Sequence, residues 1–249
     1  MRPGKYTIGK DGYYMVKFVD QAVQTVHATK LTPKLPPVVI DLEKDGLHAV
    51  VRFTPNYLSE EEAAAAFEEL SAYNDDGLND GGNMYGNVWQ SERKTIQIGD
   101  VEPRRVRVYK YTGSSAKFVT SFDEYPGIKR LRDKIHEDTG YYFNFCLYNS
   151  YTPEAKLGWH SDGEKDMVPG EPVISLSLGD PRRFRMRDTQ THEILWDDYL
   201  TSGSSLIMED DTQKLLEHSL WAITTKDQNM VDCGFRINLT FRVMRYADE

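Results

Sequence analysis

Cysteine is nearly absent: the 249 residues hold only Cys146 and Cys233. Two thiols are too few for a disulfide framework, so the fold rests on a hydrophobic core and suits a reducing compartment. Long apolar runs are missing as well. Nothing approaches a membrane span, and the N-terminus lacks the pattern of a secretory signal. The expectation is an intracellular protein with no membrane partner, nucleus and cytoplasm not being distinguished. Positive charge is scarce too: 30 Lys and Arg face 39 Asp and Glu, a net charge of -9. No global field then draws the molecule to a phosphate backbone, and any nucleic-acid contact must be local. No internal repeat is found, and the length fits one sizeable domain.

What is present is a set of metal-ligand residue types. His160-Ser161-Asp162 is followed much later by His218. On an extended segment residues two apart point to the same side, so His160 and Asp162 can reach one ion while Ser161 turns away, with His218 arriving from another strand. Two imidazoles and one carboxylate are the ligand set of a non-haem Fe(II) oxygenase, which leaves coordination positions open for a cosubstrate and O2.

After His218 the chain alternates: Arg236, Asn238, Thr240 and Arg242 fall on one face of a strand, and Ile237, Leu239, Phe241 and Val243 on the other. With the histidines, this reads as a barrel-like sheet whose polar face lines a pocket. An arginine there can grip a carboxylate by two parallel charge-assisted hydrogen bonds, which suits 2-oxoglutarate. A second strand, from Tyr142 to Tyr151, leads toward His160 and places Asn149 and Tyr151 on one face, able to donate to the same cosubstrate.

In their order along the chain, Asn149-Ser150-Tyr151, Gly158 to Glu164, Pro172 to Gly179, Arg183 to Arg187, Gly203 to Met208, His218 and Arg236 to Arg242 resemble the AlkB family of Fe(II)/2-oxoglutarate dioxygenases, and most closely its animal DNA and RNA repair branch. The resemblance covers roughly residues 38 to 245. It implies a mainly β double-stranded β-helix, or jelly roll, with flanking helices and an N-terminal substrate-recognition lid. It also implies that His160, Asp162 and His218 bind iron and are catalytic. Arg236 would pair with the distal carboxylate of 2-oxoglutarate and Arg242 would sit near its metal-proximal end, with Asn149, Tyr151 and Asn238 completing the cosubstrate site. Related halogenating enzymes lack a carboxylate at the position of Asp162, so hydroxylation is the expected outcome.

Residues 1–37, punctuated by Lys and Pro, read as an N-terminal extension, and residues 38–249 as the dioxygenase domain. Val38 to Leu42 and Leu47 to Phe53 have strand patterns. Ser59 with Glu62 three residues on begins a capped helix running through Tyr73, and Pro126 to Thr139 forms another, stopped by Gly140. Asn74 to Gly86, rich in Gly, Asn and Asp, reads as a flexible loop.

The lid implied by the resemblance spans approximately residues 74–125. There Tyr109, by its Glu102-Pro103-Arg104 lead-in, matches a family tyrosine near the substrate base, and Trp89 and Arg107 are further substrate candidates. Two basic clusters are candidate phosphate guides: Arg104, Arg105, Arg107 and Lys110, and Arg182, Arg183, Arg185 and Arg187. Close relatives in the repair branch carry two acidic residues after the iron-binding Asp, the first of which contacts the base. Here that position is Gly163, leaving Glu164 as a substrate candidate. The expected reaction is oxidative demethylation of N-alkylated bases in DNA or RNA with Fe(II), 2-oxoglutarate and O2. A hydroxylase of a nucleotide or other small molecule with the same iron centre is the alternative, and a non-catalytic binding module comes third.

Overall fold

The computed structural model describes residues 36–84, 87–111, 114, 116–221 and 234–248, together with three N-terminal strands, β1 (Pro3–Ile8), β2 (Tyr13–Phe18) and β3 (Gln24–His27). Those three pair antiparallel among themselves in a sheet of their own. Most of the Pro-rich stretch before Val38 lies outside the described residues.

The remaining strands form two antiparallel sheets. The larger runs in the order β4 (Val38–Lys44), β5 (Leu47–Thr54), β14 (Ser205–Asp210), β11 (Val173–Gly179), β16 (Arg236–Arg242), β9 (Phe145–Tyr151), β7 (Asn87–Gly99) and β6 (Leu78–Met84), with the two-residue β8 (Thr120–Ser121) parallel to β7. The smaller sheet is β10 (Leu157–His160), β15 (Leu216–Leu220), β12 (Arg182–Asp188) and β13 (Ile194–Leu200).

Helices α1 (Glu60–Ser71) and α2 (Pro126–Thr139) cover one face of the large sheet and the small sheet covers the other, giving three layers. The period-two pattern makes this possible. On β16, Ile237, Leu239 and Phe241 join Leu70, Ile128 and Tyr148 in the helix-side core, so the alternate residues must face the small sheet. All seven residues of β16 are buried, as expected of a strand covered on both faces.

Local signals act as the sequence suggests. Ser59 Oγ accepts from the Glu62 amide, and the Glu62 carboxylate accepts from the Ser59 amide, a capping box with three glutamates in the first turn. Gly140 closes α2 in the left-handed conformation. The Gly- and Asn-rich stretch behaves differently. Instead of a loop, Ala72–Asp76 is a 3-10 turn and Leu78–Met84 is a strand, hairpinned to β7. Cross-strand pairing to a long neighbour satisfies that backbone whatever its low strand propensity. The short helix α3 (Thr212–Leu215) links β14 to β15.

Gly179, at the end of β11, has φ +79°, and a Cβ there would fall 2.4 Å from a Phe67 ring carbon and 2.5 Å from the Phe235 carbonyl oxygen. Gly170 has φ +77° and open space around it. Gly170→Ala should therefore cost only about 1 kcal/mol of backbone strain, and Gly179→Ala about 3 kcal/mol because overpacking adds to it. In melting temperature that is a fall of roughly 2–4 °C against roughly 6–12 °C. Equal shifts in thermal denaturation would mean the Phe67 contact is not limiting.

Candidate active site

Between the two sheets lies a cavity of about 340 Å³, lined by the polar face of β16, by Asn149 and Tyr151 of β9, and by His160, Asp162 and His218. It brings together segments remote in sequence. β10 ends at His160, which pairs in register with His218 on β15, so hydrogen bonding across the small sheet places the two imidazoles side by side with ring centroids 4.2 Å apart. The expected extended His160-Asp162 stretch is only half realised: the strand stops at His160, and Ser161 to Glu164 continue without regular structure. Asp162 still turns inward, with Oδ1 3.9 Å from His160 Nε2. One potential ligand atom from each of the three residues lies within 4.8 Å of the other two.

The surrounding groups fix these side chains. His160 Nδ1 is 2.8 Å from the Gly158 carbonyl, which selects the tautomer with Nε2 free to bind a metal. His218 is stacked on Phe184, centroids 5.3 Å apart, and its buried Nδ1 has no hydrogen-bond partner among the described residues. Arg242 donates to Asp162 Oδ2 at 2.8 Å, leaving Oδ1 toward the histidines. Burial works against ionising Asp162, yet the charges of Arg242, His218 and His160 outweigh it and hold the carboxyl well below the ordinary carboxylate range. Burial likewise opposes the charge of Arg242, but Asp162, Tyr109 and Glu164 raise its pKa. Two imidazoles beside an ionised carboxylate, one of them with a buried nitrogen unpartnered among the described residues, are the donor set that Fe(II) takes.

At the other end of β16, Arg236 is 2% exposed. Its Nη2 donates to Ser177 Oγ at 2.9 Å, its carbon lies 5.3 Å from the Tyr151 ring centroid, and its Nε is unsatisfied. Among the described residues no carboxylate pairs with it. Burial, with the like charge of Arg182 beyond the help of Tyr151, pushes its pKa down to about 10. A buried cation with no acidic partner is costly, and an entering carboxylate would supply the missing charge. Between the arginines, Asn238 Nδ2 donates to Ser175 Oγ at 2.7 Å, and Thr240 Oγ1 donates to Asn238 Oδ1 at 2.9 Å. Asn149 Nδ2 donates to the Leu147 carbonyl, and its buried Oδ1 has no partner among the described residues.

The substrate candidates divide. Tyr109 and Glu164 line the cavity, the tyrosine hydroxyl donating to the carboxylate. Tyr109 is 2% exposed, packed against Tyr111, Phe145 and the Arg242 guanidinium, with its backbone pinned by Gln97. Arg107 is outside the cavity lining and instead bonds Asp166 and the Tyr246 carbonyl. The side chain of Trp89 lies outside the described residues.

The basic clusters are largely engaged. Arg104 clasps Asp248, Arg183 clasps Asp197 and Arg187 pairs with Glu217, while Arg182 is fully buried and donates to the Thr152 carbonyl. Arg185 lies between the Trp159 and Trp221 rings. Sequence reasoning missed Ser175, Ser177, Phe184 and Gln213. The two serines could have been found from the polar alternation in Val173–Gly179. Phe184 and Gln213 carry no local signal, since only folding brings them to the histidines and Asp162.

Two facing antiparallel sheets with a charged cavity between them are the architecture of a jelly-roll oxygenase. A family model described as the 2OG-Fe(II) oxygenase superfamily matches residues 50–242. Alpha-ketoglutarate-dependent dioxygenase alkB homolog 3 of Bos taurus is 28% identical over 265 residues, covering 99% of this chain and 85% of that protein. DNA oxidative demethylase ALKBH2 of Mus musculus is 33% identical over 56% of this chain and 61% of its own length. Alpha-ketoglutarate-dependent dioxygenase alkB homolog 3 of Homo sapiens is 31% identical over 65% of this chain and 54% of its own. Outside the bovine match, the aligned stretch therefore spans about half to three-fifths of these relatives. The chain belongs to the 2OG-Fe(II) oxygenase superfamily. It is a dioxygenase whose chemistry uses Fe(II), 2-oxoglutarate and O2. Among the described residues no helix is long and apolar enough to cross a membrane.

Burial, reinforced by the charge of His160, pushes the His218 imidazole down to about 3 from an ordinary 6.5. The unfolded chain then binds the extra proton between those values, so the stability from neutral His218 is complete above about pH 6.5 and is lost as pH falls toward 3. Metal-free protein should melt at progressively lower temperature from pH 7 to pH 4. His218→Gln should flatten that dependence, and parallel curves for the two proteins would remove His218 as its source.

Proposed function

We propose that His160, Asp162 and His218 hold the iron, that Arg236 anchors the distal carboxylate of 2-oxoglutarate, and that the enzyme oxidatively demethylates N-alkylated bases in nucleic acid. The observation that carries the reading is the shared cavity: a buried arginine with no carboxylate partner among the described residues opens onto the same space as two histidines and an aspartate. Ser177 and Tyr151 orient the guanidinium, and Asn149, Asn238 and Arg242 supply polar contacts along the cosubstrate. Phe184 covers the His218 ring and, with Leu220, gives the cavity an apolar wall beside it.

The iron site supplies the oxidising power: 2-oxoglutarate and O2 become succinate and CO2 as one substrate C–H bond is hydroxylated. On an N-linked methyl group, the hydroxymethyl product breaks its C–N bond, releasing formaldehyde and the repaired base. Tyr109 forms an aromatic wall of the pocket, and Glu164 offers an acceptor to an exocyclic amino group on a base. Burial first, then the nearby Asp162 charge, raises the Glu164 pKa despite the Tyr109 hydrogen bond. The nucleic-acid assignment draws on the relative named a DNA oxidative demethylase.

One observation favours a second reading, a hydroxylase of nucleotides or other small molecules. Arg104 and Arg107 already have acidic partners, and the net charge is -9. Both would blunt attraction to a polyanion.

Iron-loaded protein incubated with 2-oxoglutarate and a panel of methylated oligonucleotides and nucleotides should convert an oligonucleotide with the net loss of the mass of one CH2 unit. Turnover should fall with added salt, while uncoupled 2-oxoglutarate decay should not. Salt-insensitive oxidation of a nucleotide alone would hand the assignment to the second reading. His160→Ala or Asp162→Ala should abolish succinate formation, and Arg236→Lys should raise the KM for 2-oxoglutarate about tenfold or more, since a point charge cannot reproduce a bidentate grip.

A further inference from the structure

We infer that Gln213 is a positioning residue that ties the aspartate arm of the metal site to the segment carrying His218. The inference rests on the reading of His160, Asp162 and His218 as ligands. Asp162 lies beyond the end of β10, in a stretch without regular structure, so no strand ladder holds its backbone. Its amide instead donates to Gln213 Oε1 at 2.7 Å. The opposite end of the Gln213 amide points to Met208 Sδ at 3.4 Å, which orients the oxygen toward Asp162.

Gln213 sits on a firm base. α3 directly precedes β15, the strand of His218, and its Thr212 and Leu215 are buried. Thr212 Oγ1 donates to the Val50 carbonyl at 3.2 Å, the Asp211 amide to the His48 carbonyl at 2.7 Å, and the Thr189 amide to the Leu215 carbonyl at 2.9 Å. The helix is thereby bolted to β5 on one side and to the end of β12 on the other.

A carboxylate held at one point can swing about that point. Arg242 fixes Oδ2 of Asp162, and Gln213 fixes the backbone behind it. Together they leave Oδ1 aimed at the histidines. Outer contacts that orient ligands in this way typically change metal affinity by about 10–100-fold when removed. Gln213 is only half-buried, so its loss should cost the fold little more than one hydrogen bond.

Mn(II) binding to the full chain, read from the electron paramagnetic resonance signal of free Mn(II), tests this without turnover. Gln213→Met keeps the length but removes the acceptor. It should weaken Mn(II) binding about tenfold while lowering the melting temperature of metal-free protein by no more than about 4 °C. Gln213→Glu restores an acceptor oxygen and should recover most of the affinity. Wild-type affinity in Gln213→Met, or no recovery in Gln213→Glu, would overturn the positioning role. Wild-type protein that binds no Mn(II) would instead overturn the ligand assignment beneath it.

Discussion

One strand, Arg236–Arg242, sets the terms for the rest of the molecule. It is buried on both faces, and its alternate residues place two guanidiniums in the interior. A buried cation is tolerable only where something compensates it. Arg242 has its compensation in Asp162, at the cavity end occupied by the histidines. Arg236 has hydroxyl and ring contacts but no carboxylate partner among the described residues. The asymmetry divides the cavity by chemistry: one end is balanced by the protein's own acid, and the other holds a buried cation with no acid opposite it among the described residues.

The three-layer arrangement follows from that strand. Its apolar alternates need cover, which α1 and α2 provide, and its polar alternates need a lined cavity, which the small sheet provides. The small sheet contributes Phe184 and Leu220 as apolar lining, and His160 on its edge strand paired with His218 on the strand beside it. Its hydrogen-bond register brings His160 opposite His218. Asp162 has no such register and depends on side chains, Arg242 ahead and Gln213 behind.

Charge is organised locally. Surface arginines that would attract a polyanion are mostly neutralised within the fold, by Asp248, Asp166, Asp197 and Glu217. Ion pairs of this exposed kind are worth little in stability, but they cancel field at a distance. Within the cavity, Glu164, Tyr109 and Tyr111 line the same space as the metal-ligand candidates.

The sequence by itself determined whatever is encoded in short periods and single residues. The alternation of Arg236 to Arg242 could only be a strand with one polar face, the Ser59-Glu62 pair could only open a helix, and the histidine and aspartate types announced a metal. Periodicity states which residues share a face, and donor chemistry states what they can bind. Neither says where an element ends or what lies across from it. The hairpin strand Leu78–Met84, read as a loop from its glycines, exists because β7 pairs with it. Arg107, a substrate candidate in the sequence, lies outside the cavity lining and pairs with Asp166, an acid that only folding brings to it. Phe184 against His218 and Gln213 against the Asp162 amide were likewise decided only by tertiary structure. These are contacts between segments 34 and 51 residues apart, and long-range pairing is fixed by the packing of whole sheets, which no local window of sequence contains.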